Sequence, residues 1–164
     1  MAQLSTARLR LRPIGVREAR GVIAGRPRAG SRWSTGYPAE SDVLAVRGFL
    51  EHTAWVGDLA PFGLYQLVRR ADGLVIGGAG FHGPPGGGGE VSVGYGVVPA
   101  ARGCGYATEA LRALLAVAYR WGVAVVRGTA DRSNHASQRV MARVGMRLVA
   151  EDHTERHYAV ALTG

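Results

Sequence analysis

A glycine-broken turn between an apolar strand and a helix is the part of this chain best suited to bind a charged ligand. The turn is Arg102-Gly103-Cys104-Gly105; it follows Val97 and Val98 and precedes an amphipathic stretch over 105–121. A helix that begins after such a turn points free backbone N–H groups and the positive end of its dipole at one place, which suits phosphate. Glycine also permits close approach to the backbone. The pattern predicts an anion-binding turn, although a plain connection without a ligand would have the same features.

Two other patterns look functional but lack the context that their chemistry needs. Gly78-Ala79-Gly80-Phe81-His82-Gly83 matches G-x-G-x-x-G, yet prolines and further glycines follow at 84–89. A dinucleotide site needs a helix to begin at that turn, so we reject the match. His153 and His157 have HxxxH spacing but no accompanying third ligand, so we expect no metal site.

The strand before the turn has space beside its backbone. We predict a strand over 90–98, in which Glu90, Ser92, Gly94 and Gly96 share one face while the odd-numbered residues share the other. Glycines in a strand leave room for a ligand or for another backbone. Simple packing against the following helix is the alternative.

The remaining elements form one domain around this strand and turn. No linker and no repeat divides residues 1–164, and the mixture of strands and helices predicts a single α+β domain. Residues 25–39 read as a loop between the first two helices. The predicted strands cover 4–14, 62–69, 74–81, 90–98, 123–130, 146–151 and 157–162, and the predicted helices cover 16–26, 41–55, 105–121 and 134–144.

Composition excludes several classes of protein. No apolar run approaches the roughly 20 residues that span a bilayer, and the N-terminus lacks the apolar core of a signal peptide, so we expect a cytoplasmic protein. Cys104 is the only cysteine, which excludes an intrachain disulfide and a cysteine-based zinc site. All 20 basic residues are arginine. The absence of lysine excludes a Walker-type phosphate loop and a Schiff base.

The net charge of +8 suits an anionic partner, such as a nucleic acid, a ribosomal surface or an anionic cofactor. The arginines are scattered, with no dense run and no interleaved aromatic residues. This distribution argues against nucleic acid as the main partner.

Two segments resemble a known enzyme family. Arg102-Gly103-Cys104-Gly105-Tyr106-Ala107 resembles the R/Q-x-x-G-x-G/A signature of the GCN5-related N-acetyltransferase (GNAT) superfamily. Asn134-His135-Ala136-Ser137, followed by Gly145-Met146, resembles a segment of its RimJ/RimL-like branch, the ribosomal-protein N-terminal acetyltransferases. Thr6 to Pro13 resembles the opening strand of that branch. The resemblance implies a central mixed, mostly antiparallel twisted sheet of about six to seven strands flanked by about four helices.

By this resemblance the turn binds acetyl-CoA as a co-substrate, and no metal takes part. The pyrophosphate would lie on the N–H groups from Gly103 to Thr108, and Val97 and Val98 would pair with the pantetheine arm. A backbone N–H near Val98 would polarise the thioester carbonyl. The implied coenzyme-binding residues are Val97, Val98, Arg102, Gly103, Cys104, Gly105, Tyr106, Ala107, Thr108, Asn134 and Ser137.

The resemblance also implies catalytic roles. Ser137 would donate a hydrogen bond to the departing thiolate, and Asn134 would cap its helix, touch the pantetheine amides, or do both. Related sequences often have a glutamate at the position that Ser92 fills here. Glu90, on the same strand face, is then the candidate general base, directly or through water. A solvated glutamate at the strand end is the alternative.

The predicted function is an acetyl-CoA-dependent N-acetyltransferase in which a primary amine attacks the thioester directly. The acceptor would be a protein N-terminus or a small-molecule amine, with Trp33, Tyr37 and Glu40 in the loop that shapes its site. Because Ser92 replaces the glutamate that is common in related sequences, a non-catalytic acyl-CoA-binding module is an alternative function. The positive net charge makes a ribosome- or RNA-associated protein a further alternative. We expect no membrane partner, and a homodimer is compatible with the resemblance.

Overall fold

The computed structural model describes residues 2–162, in which nine strands form one sheet. The strands are β1 (Leu4–Ser5), β2 (Leu9–Pro13), β3 (Arg32–Trp33), β4 (Leu64–Arg69), β5 (Leu74–Phe81), β6 (Glu90–Val97), β7 (Val125–Asp131), β8 (Arg147–Glu151) and β9 (Glu155–Ala161). Their order across the sheet is β1-β2-β4-β5-β6-β7-β9-β8, with β3 beside β5. Only the β3–β5 and β6–β7 pairs are parallel among the described strands.

Four α-helices in residues 2–162 connect or cover these strands. They are α1 (Val16–Ile23), α2 (Glu40–Val56), α3 (Tyr106–Arg120) and α4 (His135–Arg143). The predicted α+β fold with a mixed, mostly antiparallel sheet is confirmed, but the strand count was too low. Thr6 donates its N–H to the Leu9 carbonyl and splits the predicted first strand into two. The other strand that was not predicted is β3, which is only two residues long and lies inside the predicted loop.

The core lies on both sides of the sheet because apolar stripes of the helices pack there. Leu111, Leu114 and Ala118 of α3 are completely buried in the main cluster. A second cluster joins α1 and α2 to β4 through Ala19, Val46 and Leu64. No helix among the described residues is both long and apolar enough to cross a membrane.

Strand β6 lies between two helices that cover its opposite faces. A Cβ added to Gly96 would point toward Ser41 of α2, whose Oγ would be 3.8 Å away. The side chain of the preceding Tyr95 instead reaches Ser137 of α4. Since consecutive strand residues point to opposite faces, α2 and α4 lie on opposite sides of β6.

Candidate functional site

The parallel strands β6 and β7 separate along their length. Their register runs from Glu90 opposite Val125 to Val93 opposite Gly128 and then ends. Both strands continue, β6 to Val97 and β7 to Asp131. The last four residues of β6 therefore border an opening in the sheet.

The backbone of β6 presents alternate hydrogen-bonding groups to this opening. His82 donates its N–H to the Ser92 carbonyl at 2.9 Å, and Val98 donates its N–H to the Ile76 carbonyl at 2.8 Å. The even-numbered residues thus bond to β5, and the N–H groups of Tyr95 and Val97 point toward the opening. The Val98 N–H itself is bonded to β5 and the residue is only 1% exposed, so the N–H group near Val98 that faces the opening is that of Val97.

The predicted anion-binding turn has an open cradle of backbone groups. A short 3-10 turn over Pro99–Ala101 leads into it, and Gly103 and Gly105 have φ angles of +74° and +82°. A Cβ added to Gly103 would meet nothing within 4 Å. Within residues 2–162 no side chain caps α3, so the N–H groups of its first turn can bind an anion.

Arg8, which precedes β2, holds this turn in place. Its Nη1 donates to the Cys104 carbonyl at 2.7 Å, and its guanidinium lies 4.5 Å from the centre of the Tyr106 ring. Its Nε donates to Glu109 Oε2 at 2.8 Å. The sequence analysis missed this role because Arg8 is about one hundred residues away from the turn along the chain.

The predicted side chains of the turn have different surroundings. Arg102 is exposed and its Nε donates to the Val97 carbonyl at 3.2 Å. The Cys104 thiol is free and exposed. Tyr106 and Ala107 are half-buried, whereas Thr108 is buried and its Oγ1 has no hydrogen-bond partner among the described residues.

The first turn of α4 reaches across the opening to β6. Asn134 caps this helix, its Oδ1 accepting the Ser137 N–H at 3.1 Å. The Tyr95 hydroxyl lies 2.9 Å from Ser137 Oγ and donates to the Ser137 carbonyl at 3.2 Å. Burial raises the pKa of Tyr95 more than the Ser137 contact lowers it, so the phenol stays protonated. The sequence analysis missed Tyr95, whose only signal was its position between two glycines.

Glu90 does not lie with these groups. Its carboxylate accepts from Arg127 Nε at 2.7 Å and from Nη2 at 3.0 Å. These hydrogen bonds hold its pKa below the ordinary value. Glu90 is at the paired end of β6, roughly 20 Å along the strand from Gly96. Its position does not favour the predicted role as a base.

A cavity of about 470 Å³ lies between α2 and the sheet, on the other side of β6 from α4. Gly94, Tyr95 and Gly96 form part of its wall, so it meets the opening at the unpaired end of β6. Tyr37 also lines it and accepts a hydrogen bond from Gln66 Nε2 at 3.0 Å. Trp33 packs edge-on against Tyr37 outside the lining.

The sequence analysis did not select Asp42 and His82, two of the titratable residues that line this cavity together with His52 and Tyr65. Burial raises the pKa of Asp42, an effect that the Ala39 N–H opposes. Loss of surrounding water, and then the neighbouring His52, lower the pKa of His82. His82 lies against Gly94, where an added Cβ would be 2.7 Å from its Nε2.

An exposed cluster near the C-terminus has a structural explanation. The ligand atoms of Asp152, Glu155 and His157 lie within 4.8 Å of one another, and His153 is not among them. The Asp152 carboxylate accepts the N–H groups of Thr154 and Glu155 and stabilises the turn before β9. This cluster carries no argument for a metal site.

Comparison with known proteins gives one family and one fold. The family model for an acetyltransferase (GNAT) domain matches residues 8–147, and no curated protein matches the sequence. Among solved structures, a GNAT-family acetyltransferase of Bordetella pertussis is 27% identical over 97% of this chain and 99% of its own, with a TM-score of 0.67.

Two further solved structures share the fold at lower identity. RimJ of Mycobacterium smegmatis, in complex with CoA-disulfide, is 21% identical over 93% of this chain and 81% of its own, with a TM-score of 0.62. RimL, the ribosomal L7/L12 alpha-N-protein acetyltransferase, in complex with coenzyme A, is 16% identical over 98% of both chains, with a TM-score of 0.71.

Proposed function

The chain belongs to the GNAT acetyltransferase family, and from that premise we propose that it transfers the acetyl group of acetyl-CoA to a primary amine by direct attack. The observation that carries this proposal is the opening between β6 and β7. It joins the uncapped start of α3, the Tyr95–Ser137 pair and the cavity under α2. An acyl donor on one side of the sheet can thus meet an acceptor on the other.

The backbone of β6 suits the pantetheine arm of the donor. The N–H groups of Tyr95 and Val97 point into the opening and can bond to its amide carbonyls, as a further strand would. One of them can instead bond to the thioester oxygen and stabilise the charge that develops there. Arg102 uses only one lone pair of the Val97 carbonyl and leaves the other free. The RimJ and RimL structures that share this fold contain coenzyme A or its disulfide.

The turn after β6 suits the phosphates of the donor. The N–H groups of Gly103 to Thr108 converge at the start of α3, where the helix dipole favours negative charge. Arg8 fixes the turn, so little ordering is needed when the ligand binds.

The transfer forms one bond and breaks another at the thioester carbon. The amine nitrogen adds to this carbon, the C–S bond breaks, and the sulfur leaves as a thiolate. Ser137 Oγ–H donates a hydrogen bond to the thiolate, and Tyr95 orients that hydroxyl. The nitrogen loses its extra proton to a base in the cavity. His82 is suited to take it, because a lowered pKa keeps its imidazole neutral at pH 7.

An acceptor screen tests this proposal. The purified protein is incubated with acetyl-CoA and a panel of amines and N-terminal peptides, and the release of free thiol and the mass of the product are measured. Acetylated amine and an equal amount of thiol are expected. Thiol release that no amine increases would contradict the proposal.

A non-catalytic acyl-CoA-binding module is the second candidate. The ion-paired Glu90 and the serine at position 92 favour it, because they leave β6 without a carboxylate at the opening. This candidate predicts that acetyl-CoA raises the melting temperature of the protein while no acceptor yields thiol.

A further inference from the structure

Asp42 is placed to contact the contents of the cavity. It is the third residue of α2, and its Oδ2 accepts the Ala39 N–H at 2.8 Å. This bond fixes the carboxylate at the start of the helix. The other oxygen, Oδ1, has no hydrogen-bond partner among residues 2–162, and Asp42 lines the cavity.

Among residues 2–162, only the Ala39 N–H and the positive end of α2 compensate the charge of this carboxylate, and no basic side chain pairs with it. The chain has 20 arginines and a net charge of +8, and Glu18, Glu90 and Glu109 each pair with an arginine. No arginine or histidine in the described part of the chain lies within ion-pair distance of Asp42. A half-buried carboxylate without a cation is unfavourable unless a ligand supplies one.

Glycines in the sheet make room for the carboxylate at the reacting end of β6. A Cβ added to Gly78 would lie 2.8 Å from Asp42 Oδ1. Gly78 pairs with Gly96, which is next to both Tyr95 and Val97. The carboxylate therefore lies above the part of β6 that borders the opening.

The rest of the cavity suits an apolar group. The described residues that line it include no arginine, so an acceptor with a carboxylate or phosphate would lose water there without gaining a permanently charged partner. The apolar side chains that line it include Leu44, Val46, Phe49, Leu59, Leu64 and Phe81.

We propose that Asp42 binds the ammonium group of the acceptor and that the cavity selects primary amines carried on an apolar group. This inference rests on the proposed acetyl transfer and specifies its substrate class. A charge-assisted hydrogen bond from ammonium to Oδ1 holds the nitrogen beside β6 until it is deprotonated. A small arylalkylamine and a peptide with an apolar N-terminal residue both offer this chemistry.

Three acceptors of similar size test the substrate class. With acetyl-CoA at saturation, kcat/KM is measured for phenethylamine, for a peptide that begins with phenylalanine, and for free phenylalanine, which adds a carboxylate. We expect kcat/KM for phenethylamine to exceed that for free phenylalanine by about tenfold or more. The value for the peptide shows whether the acceptor is a small amine or a protein N-terminus. Equal values for phenethylamine and free phenylalanine would overturn the inference.

Two variants test Asp42 itself. Asp42→Asn keeps an oxygen for the Ala39 N–H but removes the charge, and Gly78→Ala keeps the charge but displaces Oδ1. Both should raise KM for phenethylamine by about tenfold, with a smaller change in kcat. Asp58→Asn is the matched control, since Asp58 is exposed and also accepts a backbone N–H, from Ala60. It should leave KM within about twofold of the wild-type value.

Binding measurements separate the possible failures. Phenethyl alcohol, the neutral analogue, should inhibit the wild type and Asp42→Asn equally, and both should bind coenzyme A alike if the variant is folded. An unchanged KM in Asp42→Asn, with active wild type, would overturn the inference and leave the proposed function intact. Wild type that acetylates no amine would overturn both.

Discussion

The hydroxyl oxygens of Tyr95 and Ser137 lie 2.9 Å apart and join the unpaired end of β6 to the first turn of α4. This contact links the two elements across the opening, and in the proposed transfer the departing sulfur would lie beside these two hydroxyl groups. Asn134 fixes the same turn by accepting the Ser137 N–H.

Ser137→Ala should lower kcat by about tenfold or more, because the thiolate would lose its hydrogen-bond donor. Tyr95→Phe should lower kcat by a smaller factor, since Ser137 would remain but lose its orienting partner. Steady-state kinetics and coenzyme A affinity are measured for both. Tyr119→Phe, at an exposed position of α3, is the matched control. Unchanged kcat in both site variants would exclude the proposed donor.

Glu90→Gln should leave kcat within about twofold of the wild-type value. The carboxylate is exposed, paired with Arg127, and far from the unpaired end of β6. The same kinetic assay checks this expectation. A fall of about tenfold or more would restore Glu90 as the base, acting through water.

Gly103→Ala should weaken coenzyme A binding. Its φ of +74° costs a residue with a Cβ about 1 kcal/mol, and the added methyl would lie in the open cradle. Gly30→Ala is a closely matched control, because Gly30 has a φ of +77° and equally open surroundings. Both variants should lose similar stability in thermal unfolding, while calorimetry should show weaker coenzyme A binding only for Gly103→Ala.

Arg8→Gln should also weaken coenzyme A binding, by a few-fold, through loss of order in the turn. The variant loses the bond to the Cys104 carbonyl and the contact with Tyr106. Arg10→Gln is the control, since the Arg10 side chain makes no hydrogen bond to the described residues. Equal dissociation constants for the two variants would show that the turn is ordered without Arg8.

At pH 7 the free energy of unfolding of Asp42→Asn should equal or exceed that of the wild type. Burial raises the folded-state pKa of Asp42, so the folded protein binds a proton more readily than the unfolded chain. Protonation therefore stabilises the fold at acid pH, and this stabilisation is lost as the pH rises through the raised pKa. The free energies of unfolding of the two proteins, measured in urea, should become equal as the pH falls below about 4. A less stable variant at pH 7 would show that the charge supports the fold.

Much of the fold was predictable because its signals are local. A hairpin turn pattern at 71–73 predicted the strand that follows it at 74–81, which are the observed bounds of β5. Helix periodicity predicted α3 and α4 to within a residue at each end. The glycines of the turn were also informative, because glycine adopts a positive φ without a steric cost.

Contacts across the sheet were not predictable in the same way. Glu90 was the candidate base because it shares a strand face with Ser92, where related sequences often have a glutamate. Only the register of β6 with β7 showed that Arg127 lies beside Glu90. Asp42 looked like an ordinary residue in the first turn of a helix. Only the packing of α2 over Gly78 showed that its second oxygen faces a cavity.

The sequence by itself determined the strand, turn and helix on which the proposed acetyl-CoA site rests, because these elements are continuous in the chain. The tertiary structure decided the cavity proposed for the acceptor and the Tyr95–Ser137 pair. Those groups come from β6, α2 and α4 and meet only when the sheet forms, since strand register and helix packing depend on contacts between residues far apart in sequence.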